Sequence, residues 1–116
     1  MPLLRLQTSI EIPAAERDAL LAQLSATTAE LLGKPERYMM VALAEQQPLL
    51  FGGDAAPAAF VEVRSVGTIS PDQARGLSAA LSEVLAARLG LAPERIYYNY
   101  AGVPGAMWGF GERTFG

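Results

Sequence analysis

A segment that occurs twice constrains this chain more than anything else in it. Leu32-Gly33-Lys34-Pro35-Glu36-Arg37-Tyr38 is echoed by Leu89-Gly90-Leu91-Ala92-Pro93-Glu94-Arg95-Ile96, 57 residues later at the glycine and 58 at the proline. Each copy follows a stretch of helical periodicity and precedes an apolar run. Glycine ends a helix in the left-handed region and the following proline prevents its resumption. The echo reads as two copies of one strand–helix–strand unit. A crossover helix of this length joins parallel strands, so each half is expected to be a right-handed βαβ unit.

The elements follow from periodicity. Met1 to Ser9 alternates, with Leu4, Leu6 and Thr8 on one face and Leu3, Arg5 and Gln7 on the other. Pro13 suits the first turn of a helix whose stripe is Leu20, Leu21, Leu24, Thr28, Leu31 and Leu32. Tyr38 to Leu43 is the second strand, Phe51-Gly52-Gly53-Asp54 a turn, and Phe60, Val61, Val63 and Val66 mark the third strand. Ser70-Pro71-Asp72-Gln73 is a capping box with proline at the first helical position. Its helix carries Leu77, Leu81, Val84, Leu85 and Leu89, and Ile96 to Tyr100 forms a fourth strand. From Gly102 to Gly116 the chain is glycine-rich and carries Trp108, Phe110 and Phe115. The expected fold is α/β, one domain over residues 1–116: two βαβ pseudo-repeats forming a four-stranded mixed sheet with two helices on one face.

Two helices cover one face of such a sheet and leave the other open. Met39 to Leu43 is apolar without a break, as in a strand buried on both sides. The chain is 51% apolar and 18% charged, and its mean hydropathy is +0.21. Association of several copies, sheet to sheet, is therefore expected. With 9 basic and 12 acidic residues the net charge is −3, which argues against a nucleic-acid partner. No apolar stretch reaches the ~18–20 residues of a membrane span. Met1-Pro2-Leu3-Leu4-Arg5 lacks a signal-peptide layout, so the expected location is cytoplasmic.

There is no cysteine and no histidine. Thiolate nucleophiles, zinc–thiolate sites, Ser-His-Asp triads and imidazole bases are excluded. No metal or other cofactor is expected. Acid–base chemistry near neutrality would need a shifted carboxylate, a shifted lysine or the terminal amine. Met1 precedes a small residue and is of the kind normally removed, which would make Pro2 a secondary amine at the chain end. Read from residue type alone, Pro2 more simply serves to permit that removal or to protect the chain end. Lys34 more simply is a solvated cation at a helix C-terminus, and Tyr97, Tyr98 and Tyr100 are ordinary strand residues. Asn99 is less expected in a strand.

Several motifs occur together in one order: Pro2 after Met1, Gly33-Lys34-Pro35, Phe51-Gly52-Gly53, Ser65-Val66-Gly67, Pro93 to Tyr100, Trp108-Gly109-Phe110 and Thr114-Phe115. Together they resemble the macrophage migration inhibitory factor family of the tautomerase superfamily, which includes D-dopachrome tautomerase relatives. The resemblance runs end to end. It implies a homotrimer with pockets at subunit interfaces and a keto–enol tautomerase acting on phenylpyruvate-like α-keto acids or dopachrome analogues. The alternative it carries is a cytokine-like interaction protein with a vestigial pocket.

By that resemblance Pro2 is the catalytic base and Lys34 holds the substrate carboxylate. Ser65 and the backbone of Val66 adjoin the substrate, and Tyr97 and Asn99 reach the pocket from a neighbouring subunit. Tyr38, Trp108, Phe110 and Phe115 form the aromatic rim. The chain also departs from the vertebrate pattern. Ala58 and Val61 stand where a Cys-x-x-Cys pair would be, so thiol oxidoreductase activity is not expected. Phe110 replaces a rim tryptophan, Trp108 takes a neighbouring aliphatic position, and Arg64 replaces a histidine beside Ser65.

Overall fold

The computed structural model describes residues 1–116. Its main elements are β1 (Pro2–Thr8), α1 (Ala14–Leu32), β2 (Met40–Ala44), β3 (Ala59–Val66), α2 (Pro71–Leu89) and β4 (Ile96–Val103). A short hairpin, β5 (Gly109–Phe110) and β6 (Arg113–Thr114), closes the chain. The sheet order is β2-β1-β3-β4. β1 runs parallel to β2, β3 runs parallel to β4, and the two halves meet through the antiparallel β1–β3 pair. This is the two-unit α/β architecture expected from the echo.

The helices end alike. Gly33 and Gly90 cap α1 and α2 at φ 66° and 69°, a region where a Cβ would be strained. A 3₁₀ turn follows each cap, Glu36–Tyr38 in one half and Pro93–Arg95 in the other. Ser70 Oγ accepts from the Gln73 N–H at 3.1 Å, and Gln73 Oε1 accepts from the Ser70 N–H at 2.9 Å. Both orphan donors are thereby satisfied. Ser70→Ala is expected to cost about 1 kcal/mol of stability, read as a lower urea midpoint at fixed protein concentration.

One face of the sheet holds the core. Leu4 and Leu6 of β1 and Val61 and Val63 of β3 pack with Leu20 and Leu24 of α1 and with Leu77, Leu81 and Leu85 of α2. Tyr98 and Tyr100 also turn toward the helices, their hydroxyls 2.8 Å from Ser82 and Ser78 of α2. Burial raises the pKa of both phenols, opposed by the serine hydrogen bonds. The other face carries Leu3, Arg5, Phe60, Glu62, Tyr97 and Asn99 and has no covering element in the chain, because directly opposed residues share a face.

Four segments differ in detail from expectation. Pro13 is the cap before α1 rather than a residue of its first turn, since its ψ of 137° is extended. β2 begins at Met40, because the 3₁₀ turn after Pro35 consumes Tyr38. It is an edge strand, with Met40 66% exposed, and is not buried on both sides within one chain. β4 runs on to Val103, past Gly102, where a Cβ would stand 2.2 Å from the Gly67 carbonyl oxygen. The tail is more ordered than glycine content alone indicates. Gly111 (φ 59°) opens the two-residue turn that a hairpin's twist favours.

Candidate functional site

The start of β1 is where the candidate residues meet. Pro2 is buried and pairs with Ser65, itself 1% exposed. The Val66 N–H donates to the Met1 carbonyl at 3.3 Å. The αL cap at Gly33 turns the chain back toward the sheet, and the next residue, Lys34, donates from Nζ to the Val66 carbonyl at 3.3 Å. Ser65 Oγ donates to the same carbonyl at 3.4 Å. The amino terminus thus lies beside a cation in partly buried surroundings. Burial, and then the Lys34 charge, lower the terminal amine from its ordinary pKa of 8.0. Both disfavour the protonated form, burial by removing water and Lys34 by like-charge repulsion.

A cleft of about 590 Å³ opens over this end of β1. Pro2 and Leu3 form its floor, and Tyr38, Met39 and Met40 one wall. Trp108, Phe110 and Phe115 face them from the tail. The tail holds its own shape: the Phe115 N–H donates to the carbonyls of Gly105 and Trp108 at 3.1 and 3.2 Å, and Phe110 and Phe115 meet edge to face at 5.6 Å. Walls of this kind suit a flat apolar ligand, with charged groups only at its ends. Arg37 is the cationic side chain that lines the cleft, its guanidinium 4.8 Å above the Tyr38 ring, and Lys34 adds positive charge beside the terminal amine.

Pro2, Tyr38, Trp108, Phe110 and Phe115 therefore line one cleft, and Lys34, Ser65 and Val66 adjoin the terminus beneath it. Tyr97 and Asn99 do not join them in the same chain. They pair with Phe60 and Glu62, nearer the start of β3 than Ser65, and Tyr97 is 65% exposed with its ring 4.7 Å from that of Phe51. At ~3.3 Å per residue the five positions from Phe60 to Ser65 span roughly 16 Å. Arg64 points away from Ser65, as neighbours on a strand must, and pairs with Glu62 at 3.6 Å. Ala58 and Val61 are core residues, 0% and 2% exposed.

Sequence reasoning missed Met39, Met40 and Arg37 as lining residues. The methionines look like any strand interior, and only the edge position of β2 leaves them open. Arg37 carried a signal in its echo, Arg95. No group of three or more carboxylates stands close enough to hold a metal ion. No helix is long and apolar enough to cross a membrane.

The family model for macrophage migration inhibitory factor matches residues 1–116. The chain belongs to the macrophage migration inhibitory factor family. A homolog from Trichinella spiralis is 35% identical over 115 residues, covering 99% of this chain and 100% of that one. The Rattus norvegicus protein is 31% identical over 99% of each chain. Among solved structures, the homologue from Prochlorococcus marinus superposes with a TM-score of 0.93 at 36% identity, covering 98% of this chain and 99% of that one. The Toxoplasma gondii protein gives 0.92 at 33%, covering 97% and 99%. The match to these macrophage migration inhibitory factor relatives thus extends over nearly all of each chain and over the whole fold. Its cleft is built by residues from both ends of the chain, so the tail is as much a part of the site as the first strand.

Proposed function

We propose that the protein is a keto–enol tautomerase whose base is the amine of Pro2, freed by removal of Met1, acting on phenylpyruvate-like α-keto acids or dopachrome analogues. The observation that carries this reading is the place of the amino terminus. It lies at the floor of the largest apolar cleft, beside Lys34, where an amine is held below its ordinary pKa. Removing Met1 moves the amine one residue inward, onto a buried proline. It also leaves the Val66 N–H without the carbonyl it now serves.

The reaction needs little else. The neutral Pro2 amine takes the proton from the enol hydroxyl and becomes an ammonium. The enolate's electrons re-form as C=O and a carbanion-like carbon, which takes the proton back from Pro2. A base with a pKa near ambient pH serves both halves. Lys34 anchors the carboxylate, the Val66 N–H is positioned to donate to an oxygen of the substrate, and Tyr38, Trp108, Phe110 and Phe115 hold the aryl ring. Tyr97 and Asn99 enter from a second copy: they lie on the uncovered sheet face, out of reach of their own cleft, and their exposure fits burial in a homotrimer.

The test is phenylpyruvate ketonisation by protein shown by intact mass to lack Met1, with sedimentation giving a particle of three 12.3 kDa chains. Turnover by that trimer is expected. A trimer without turnover sinks the enzymatic reading and favours the interaction-protein alternative.

A further inference from the structure

The echoed segment places Arg37 and Arg95 at equivalent points, each in the 3₁₀ turn that leads from a helix into a strand. Arg95 spends four of its five donors. It donates from Nε to the Pro57 carbonyl at 3.3 Å and from Nη1 to Phe51 at 3.0 Å. Nη2 reaches the carbonyls of Asp54 and Ala56 at 3.0 and 2.7 Å, and the group lies 5.0 Å over the Phe51 ring. It ties down the loop that crosses the start of β3, and the hollow left there is about 280 Å³.

The first half repeats this layout. Trp108-Gly109 stands 57 residues after Phe51-Gly52 and covers the start of β1 as that loop covers β3. Arg37 nevertheless makes no hydrogen bond and no ion pair within the chain, since the four ion pairs use Arg17, Arg64, Arg75 and Arg88. It only stacks on Tyr38. The hollow beneath it is about 590 Å³, twice that of its counterpart. A guanidinium carries five donors in a rigid fork suited to a carboxylate, and all are unspent here at the mouth of an apolar cleft. Lys34, the other cation, is turned to Val66 beside the amino terminus.

We propose that Arg37 determines specificity by pairing with a second acidic group on the far end of the substrate, so that the preferred substrate class is a dianionic aryl α-keto acid. Lys34, beside the amino terminus, then serves the α-keto carboxylate, Arg37 serves the second acidic group, and the aromatic walls serve the ring. This rests on the tautomerase reading for its substrate class, and the pairing itself is measurable by binding alone.

The experiment compares para-carboxyphenylpyruvate with phenylpyruvate on the Met1-free protein, in wild type, Arg37→Gln and Arg37→Lys. The wild type is expected to favour the dianion, and Arg37→Gln to lower that preference ratio about tenfold, through KM, with added salt eroding the wild-type ratio. Arg37→Lys keeps the charge without the fork and should fall between. An unchanged ratio overturns the proposal, and so does an equal loss on both substrates, which would put Arg37 on the shared α-keto carboxylate. If the wild type turns over neither compound, the tautomerase reading fails separately. Calorimetric binding of the same two compounds then decides: a dianion preference lost in Arg37→Gln upholds the pairing, and equal preferences overturn it.

Discussion

Keeping Pro2 inside an amide, by an N-terminal extension that is not removed, is expected to lower kcat/KM for phenylpyruvate by about 10²–10⁴-fold, the contribution of a positioned acid–base group. The amide withdraws the lone pair that must accept the proton, while Pro2 keeps its pairing with Ser65, so fold and assembly should survive. Pro2→Ala is expected to fall in the same direction, because the ring that aims the amine is gone. The pH profile supplies a second readout. Burial and Lys34 lower the Met1 amine, and with Met1 removed the same two causes act on the Pro2 amine. Its proton-accepting form is therefore expected at lower pH than at an ordinary chain end. So kcat/KM should rise with pH and level off below the ordinary terminal value of 8.0. A limb at or above that value, or near-wild-type turnover by the extended chain, would remove Pro2 from its role.

Lys34→Ala carries the next largest expectation, a loss of about 10–100-fold in kcat/KM, the worth of one hydrogen bond to a charged group, mostly in KM. Its ammonium also helps hold the terminal amine below its ordinary pKa, after burial. Taking that charge away must therefore move the acid limb of the profile to higher pH. The two effects separate anchoring from tuning. A variant with raised KM and an unmoved limb would leave Lys34 only the first task, and one with neither effect would leave it a helix-end cation bonded to Val66.

The candidate site was half legible before any fold was known. Pro2, Lys34, Ser65 and Val66 lie in short motifs whose local chemistry is readable: an αL glycine that returns the chain, a strand end, a removable methionine. The aromatic rim followed only from the family resemblance, because nothing local says that the tail folds back over β1. Tyr97 and Tyr98 are adjacent and chemically alike. Strand alternation sends Tyr98 to Ser82 and leaves Tyr97 exposed, and which face holds the helices is a property of packing. Met39 to Leu43 is partly legible for the same reason: a run of apolar residues reports that burial is needed, not whether the same chain or another supplies it.

Local rules determined the repeated unit, the helix ends, the capping box at Ser70 and the lack of any imidazole or thiol chemistry, since each depends on neighbours a few residues apart. Tertiary structure, and no local rule, decided how the two chain ends build one cleft, which strand face leaves Tyr97 and Asn99 outside it, and that Arg95 is consumed by carbonyls while its twin Arg37 is left free. Those outcomes turn on contacts between segments some 40 to 110 residues apart. No spacing along the chain encodes such contacts, because they arise only when the sheet order brings the segments together.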